Sequence, residues 1–267
     1  MRPIGVFDSG IGGLTVVKEL IRQLPGEDIV YLGDTARLPY GTKTANTIIR
    51  FTLNNILFLL KQNTKLIVIA CNTASSLALD ATRRHFRIPI IGVIQPGAQE
   101  AAKSTKTGCI GVIGTRATIK SKAYENQIRR IDPAIKVISQ ACPLFVPLVE
   151  EGWLNQPETL DIAKRYLKPL IKKNHDLDAL ILGCTHYPLL KPVIRKALGK
   201  GIRLIDSAQQ VAREVAQVLS NEGMGKSAHE ANGKYRFYVT DDPEGFAYQA
   251  VRFLGYRIPE VNKINNV

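Results

Sequence analysis

Short apolar runs alternate along the chain with longer segments in which apolar residues recur at helical spacing. Runs of five to seven residues, most of them rich in Val, Ile or Leu, occupy 3–8, 28–33, 66–70, 88–94, 109–114, 135–140, 178–183, 202–206 and 235–240. Such runs predict strands, and continuous apolar runs are typical of parallel strands that are covered on both faces. Amphipathic segments between them, such as 12–24 and 159–174, predict helices. The alternation predicts an α/β fold with mostly parallel sheets.

The order of these elements is repeated in the two halves of the chain. IGVFDSG and LIVIACNT in the first half correspond to IGVIGTR and LILGCTHY in the second, so that Val6 matches Val112 and Cys71 matches Cys184. We therefore expect two pseudo-symmetric α/β domains, the first formed by residues 1–95 with 208–267 and the second by residues 96–207. Because ligands of open α/β sheets bind outside the carboxyl ends of the strands, we expect the active site in the cleft between the domains.

Polar side chains stand where the predicted strands end. They are Asp8, Ser9, Asp34, Cys71, Asn72, Thr115, Cys184, Thr185, His186 and Asp206. Both cysteines of this set follow a buried strand at corresponding places, and each is followed within two residues by a threonine. A cysteine that only packs in the core would not need the same polar residues after it twice.

The four cysteines include no C-x-x-C pair, so the chain has neither a zinc-ribbon nor a thioredoxin motif. In a reducing compartment all four are expected to be thiols. We interpret Cys109, inside a strand, and Cys142, before a proline, as structural. Cys71, Cys184 and His186 would give a metal ion at most three ligands without the spacing of a known metal motif, so we expect no metal there.

We interpret Cys71 and Cys184 as a pair of functional thiols. If each lies where a strand ends and a helix begins, backbone N–H groups and the helix dipole are expected to lower its pKa. His186 would assist Cys184, and Asp8 and Glu150 are candidate carboxylates for proton handling. Two thiols that face each other can remove a proton from one face of a carbon and return one to the opposite face, which inverts that centre.

Two glycine-containing segments resemble nucleotide-binding motifs only in part. FDSGIGGLTV has Thr15 where the dinucleotide fingerprint needs a glycine, and a site for an anion or amide at a helix N-terminus fits it better. EGMGKS at 222–227 has Ser220 where a P-loop needs its first glycine, and no apolar strand precedes it. The surrounding segment, 220–233, is predicted to be a loop.

The formal net charge of +13 is the compositional feature that bears most on function. The basic segments RYLKPLIKKN and KPVIRKALGKGIR contain almost no aromatic residues and no recognition motif, so a nucleic-acid partner is not expected. The charge also suits a small acidic substrate. No apolar run is long enough to span a bilayer, and no signal peptide is recognisable, so we expect a cytoplasmic protein without membrane association.

A set of motifs resembles those of the glutamate racemases, cofactor-independent enzymes of the aspartate/glutamate racemase superfamily. The motifs are GVFDSGIGGLTV, DTARLPYG, ACNTAS, CPLFVPLVEEG and LGCTHYPLL, in the family's order between about residues 4 and 207. The resemblance implies that Cys71 and Cys184 are the paired acid and base, assisted by Asp8, Glu150 and His186. It also implies that the substrate is held by Asp8, Ser9, Tyr40, Gly41, Asn72, Thr73, Thr115, Thr118, Thr185 and His186.

The resemblance further implies a homodimer that needs neither pyridoxal phosphate nor metal and that supplies D-glutamate for peptidoglycan. Two alternatives stay open at this point. A racemase of aspartate or another small acidic amino acid would share the two-thiol arrangement. A noncatalytic binding protein for an acidic metabolite would not need both thiols.

Overall fold

The computed structural model describes residues 2–226 and 233–265. Its strands are β1 (Ile4–Asp8), β2 (Ile29–Gly33), β3 (Leu66–Ile69), β4 (Ile90–Gly92), β5 (Cys109–Gly114), β6 (Lys136–Ala141), β7 (Ala179–Gly183), β8 (Arg203–Ile205), β9 (Tyr235–Val239) and β10 (Val261–Lys263). The α-helices are α1 (Leu14–Gln23), α2 (Ala45–Lys61), α3 (Asn72–His85), α4 (Ile94–Ser104), α5 (Arg116–Ser121), α6 (Ala123–Ile131), α7 (Phe145–Glu150), α8 (Pro157–Lys173), α9 (Lys191–Leu198), α10 (Ser207–Asn221) and α11 (Pro243–Leu254). Short 3-10 helices occupy Thr35–Arg37, Tyr40–Thr42 and Tyr187–Leu190.

The strands form two sheets, and every strand pairing in the described residues is parallel. The larger sheet has the order β10-β9-β2-β1-β3-β4, and the smaller has the order β6-β5-β7-β8. The order β2-β1-β3-β4 within the first sheet is repeated by β6-β5-β7-β8 in the second. The predicted α/β fold and its internal repeat are therefore confirmed.

The cores lie between the sheets and the helices that cover them. All residues of β1, β2, β3, β5 and β7 are buried, as expected for parallel strands covered on both faces. Helix α8 shows how the helices contribute, because Ala163, Leu167 and Leu170 recur on one buried face. Burial of each such leucine stabilises the fold by about 1.5–3 kcal/mol.

The sequence did not predict β10, a three-residue strand at the edge of the larger sheet. Its residues are half-buried or exposed, so it lacks the apolar run by which the other strands were predicted. The predicted loop at 220–233 begins with the last turn of α10, and residues 227–232 lie outside the described residues. The EGMGKS segment therefore falls only partly within the described chain.

The predicted domain division can be compared with the strands of each sheet. The larger sheet takes its strands from 4–92 and 235–263, and the smaller from 109–205. The boundaries after residues 95 and 207 fall inside α4 and α10, the two helices that carry the chain from one sheet to the other. The division stays a proposal, which the membership of the sheets supports.

Candidate active site

Cys71 and Cys184 line the same cavity between the two sheets. Cys71 follows β3, and Cys184 follows β7, the strand in the second sheet that corresponds to β3. The cavity has a volume of about 350 Å³, and the two side chains are only 5% and 6% exposed. Of the predicted site residues, the cavity is lined by Ser9, Tyr40, Gly41, Cys71, Asn72, Thr73, Thr115, Glu150, Cys184, Thr185 and His186.

The glycine-rich segment after β1 brings the first sheet against the second half of the site. A Cβ atom on Gly12 would lie 2.3 Å from Oγ1 of Thr185 and 2.5 Å from Nδ1 of His186. A side chain at position 12 would therefore displace Thr185 and His186. The neighbouring Thr15 donates a hydrogen bond from Oγ1 to the carbonyl of Thr185 at 3.2 Å. The segment therefore allows a close approach between the two halves.

Cys71 is held as a thiol by its surroundings. Burial raises the pKa of the Cys71 thiol most, and the charge of Asp8 raises it further. The Ala74 backbone N–H and the Ser9 hydroxyl act to lower it, and the resulting pKa is about 12. The Cys71 thiol donates to Oγ of Ser9 at 3.6 Å. The prediction of a lowered pKa is therefore wrong for Cys71, although α3 does begin at the next residue. The removal of water from around the sulfur raises the pKa more than the N-terminus of α3 lowers it.

Cys184 lies beside a histidine, and no α-helix begins directly after it. A 3-10 helix, Tyr187–Leu190, comes after it, which corrects the expected helix start. Its sulfur is 3.9 Å from Nδ1 of His186, whose Nε2 is 3.0 Å from Oε1 of Glu150. Burial acts to lower the pKa of His186, but hydrogen bonds and charge interactions with Cys184 and Glu150 raise it to about 10. These two neighbours therefore favour the protonated imidazole.

Asp8 lies behind the cavity wall rather than on it. It is fully buried, its Oδ2 accepts from the backbone N–H of Gly10 at 3.0 Å, and its Oδ1 accepts from the Thr185 hydroxyl at 3.4 Å. Burial raises the pKa of Asp8, and the positive charge of His186 acts in the opposite direction. Asp8 is thus placed to influence Cys71 by charge and Thr185 by a hydrogen bond.

Three threonine hydroxyls join the two halves on another side of the cavity. Oγ1 of Thr73 lies 2.9 Å from that of Thr115 and 3.3 Å from that of Thr118, and the latter two are 3.0 Å apart. Thr118 is buried and lies outside the cavity lining.

Tyr40 is held by a hydrogen bond to Asp34 and by another from Asn55.

Comparison with known proteins shows the family of the chain. The profile of the Asp/Glu/hydantoin racemase family matches residues 4–215. The chain belongs to this family. The glutamate racemase of Geobacter metallireducens is 47% identical to it over 99% of this chain and 97% of that protein. The predicted resemblance is therefore confirmed.

Two crystal structures show the likeness in three dimensions. A glutamate racemase isoform from Bacillus anthracis superposes with a TM-score of 0.94 at 44% identity, covering 99% of this chain and 97% of that one. The glutamate racemase of Francisella tularensis, solved in complex with D-glutamate, superposes with a TM-score of 0.91 at 43% identity and the same coverage. The α/β architecture of the chain is thus that of solved glutamate racemases.

Several cavity residues were not predicted from the sequence. They are Leu38, Pro39, Thr42, Arg116, Pro143, Val146 and Pro147. All but Arg116 and Thr42 lie in the motifs DTARLPYG and CPLFVPLVEEG. Only the polar residues of these motifs were candidates from the sequence, so the apolar ones were missed. The apolar residues of the set form one wall of the cavity. This wall keeps water away from the sulfurs and strengthens electrostatic interactions inside the cavity.

Two further properties concern metals and membranes. Within 2–226 and 233–265, no group of three or more His, Cys, Asp or Glu side chains is arranged to hold a metal ion. Over the same residues, no helix combines the length and apolar character that a membrane crossing requires. The expectation that the reaction needs no metal or other cofactor stays a prediction.

Proposed function

We propose that this enzyme interconverts L- and D-glutamate by proton exchange at Cα, with Cys71 and Cys184 as the acid and the base. The observation that carries the proposal is the shared cavity, into which corresponding strands of two repeated sheets each bring one thiol. In one direction the Cys184 thiolate takes the Cα proton of L-glutamate and becomes a thiol. The electron pair left on Cα delocalises into the adjoining carboxyl group, and the Cys71 thiol then protonates the opposite face and becomes a thiolate.

The different surroundings of the two sulfurs support these starting roles. The raised pKa of Cys71 keeps it a proton donor, whereas the protonated imidazole of His186 lies 3.9 Å from the Cys184 sulfur and attracts negative charge there. The resting arrangement therefore suits the conversion of L-glutamate to D-glutamate. In the reverse direction the cysteines exchange roles.

Polar groups of the cavity are proposed to hold the substrate. Ser9, Asn72, Thr73, Thr115 and Thr185 present hydroxyl and amide groups beside the thiols, where they can bind carboxylates and meet charge that develops at Cα. We include Tyr40, Gly41 and Thr118 in this set by family resemblance. Asp8, Glu150 and His186 are proposed to assist, Asp8 from behind the wall through Thr185.

We favour glutamate over aspartate as the substrate. The Francisella tularensis relative, 43% identical over nearly its whole length, was solved with D-glutamate bound. A cavity of about 350 Å³ is at the small end of ligand pockets and suits a single amino acid. A noncatalytic binding role is less well supported, because such a protein would need neither thiol in the cavity.

The test is exchange at Cα in heavy water. Protein treated with a chelator is incubated separately with L-glutamate and L-aspartate, and optical rotation and deuterium at Cα are followed. We expect rapid racemisation of glutamate alone, with the first D-glutamate formed carrying solvent deuterium. Preference for aspartate would support the rival substrate. Activity lost on chelation and restored by zinc would contradict the cofactor-free mechanism.

We further propose that the enzyme is a cytoplasmic homodimer that supplies D-glutamate for peptidoglycan and cell shape. The support is family resemblance. Growth of a bacterium that requires D-glutamate, when it carries this chain, would test the biosynthetic role. Sedimentation equilibrium at several protein concentrations would test the dimer.

A further inference from the structure

Tyr124, in α6, lies behind the cavity against the strand that leads to Cys184. The residue is 2% exposed. A Cβ atom on Gly183, the residue before Cys184, would lie 3.1 Å from Cε2 of Tyr124, and one on Gly97 of α4 would lie 3.3 Å from Cε1. The ring therefore fits a slot that two glycines leave open, and its position is fixed from both sides.

The hydroxyl of Tyr124 reaches the other half of the site. It donates a hydrogen bond to Oδ1 of Asn72 at 2.7 Å, and Asn72 is the residue after Cys71. One buried side chain thus contacts the segments that carry both thiols, one through its ring and the other through its hydroxyl.

In the structure the Tyr124 hydroxyl donates to the oxygen end of the Asn72 amide, which leaves the nitrogen end for the cavity. A primary amide has an acceptor oxygen and a donor nitrogen on opposite sides. Tyr124 occupies the oxygen, while among the described residues no protein acceptor holds the nitrogen, and Asn72 lines the cavity. The amide therefore offers Nδ2, a donor, to the cavity. A rotated amide would offer its oxygen, which repels a carboxylate.

We propose that Tyr124 is a positioning residue that fixes the Asn72 amide so that Nδ2 donates to a substrate carboxylate. The proposal rests on the proposed function only in that the ligand is glutamate. It adds to the site a residue that touches no substrate and acts on binding through Asn72.

The test compares Tyr124→Phe with Tyr187→Phe. The second tyrosine is also buried, and its hydroxyl donates to the carbonyl of Cys142 at 2.9 Å, so each variant removes a tyrosine hydroxyl with a buried hydrogen bond. We expect Tyr124→Phe to weaken D-glutamate binding, measured by calorimetry, about tenfold, which is the size of a hydrogen bond to a charged group. KM for both enantiomers should rise by a similar factor with kcat little changed, whereas Tyr187→Phe should lower the melting temperature alone.

A double-mutant cycle with Asn72→Ala separates positioning from general loss of structure. If Tyr124 acts through Asn72, Tyr124→Phe should add no further loss of affinity in the Asn72→Ala background. Independent losses that multiply, or unchanged affinity in Tyr124→Phe, would overturn the proposal. If the parent binds D-glutamate without racemising it, the proposed function fails, but the same binding measurements still test the role of Tyr124. A parent that does not bind D-glutamate overturns both.

Discussion

At the residue scale, a buried histidine connects one of the two thiols to a carboxylate. His186 lies between the Cys184 sulfur, 3.9 Å away, and the Glu150 carboxylate, 3.0 Å away. Burial alone would favour the neutral imidazole, so the raised pKa depends on these two neighbours. The site thus favours a protonated His186, and the loss of that proton should be visible in the pH dependence of the reaction.

Glu150→Gln should move the alkaline limit of activity to lower pH. The protonated imidazole is present below the pKa of His186 and is lost as pH rises through it. Removal of the carboxylate lowers that pKa, so the alkaline limb of kcat/KM should shift down by about one pH unit or more. Glu151→Gln, which changes an exposed neighbouring carboxylate, is the matched control and should leave the limb in place. An unshifted limb in Glu150→Gln would show that His186 does not depend on this pair.

At the element scale, α11 of the first sheet's unit holds the short helix that carries Glu150. Nη1 of Arg252 donates to the carbonyls of Val149 and Glu150, the last residues of α7, at 2.9 and 2.6 Å. Carbonyls at a helix end have no partner within the helix, so this arginine caps α7. The next residue, Phe253, contacts His186 edge to face with ring centroids 5.6 Å apart. Helix α11 therefore orients both members of the His186–Glu150 pair.

Arg252→Ala should impair the site through α7. We expect a loss of about 1–3 kcal/mol in the free energy of unfolding, because two carbonyls lose a charged donor. The alkaline limb of kcat/KM should also move toward lower pH, since Glu150 is no longer held against His186. Arg257→Ala, which changes an exposed arginine just beyond α11, is the control for loss of charge. Equal effects in the two variants would argue against a specific role for Arg252.

At the scale of the whole molecule, much of the fold could be predicted because its signals are local. Apolar runs such as 66–70 and 178–183 are continuous in sequence, and the repeat that relates Cys71 to Cys184 follows from comparing one half with the other. The bond from Tyr124 to Asn72 and the cap that Arg252 provides arise only where the two halves meet, and the raised pKa of Cys71 follows from burial and from Asp8, which is distant in sequence. Contacts between distant segments leave no periodic pattern, so the sequence could not indicate them.

The central claim is that two thiols act on opposite faces of one carbon, and single substitutions test it most directly. Cys71→Ser and Cys184→Ser should each lower racemisation of glutamate by about a thousandfold or more, because a hydroxyl is a poor substitute for a thiolate. With an analogue that carries a leaving group at Cβ, one thiolate suffices for elimination. Cys71→Ser should then retain elimination from the L form and Cys184→Ser from the D form. Cys109→Ser, at the far end of β5, is the control. If both variants process the same enantiomer, or if either racemises glutamate at near the parent rate, the two-thiol mechanism is contradicted.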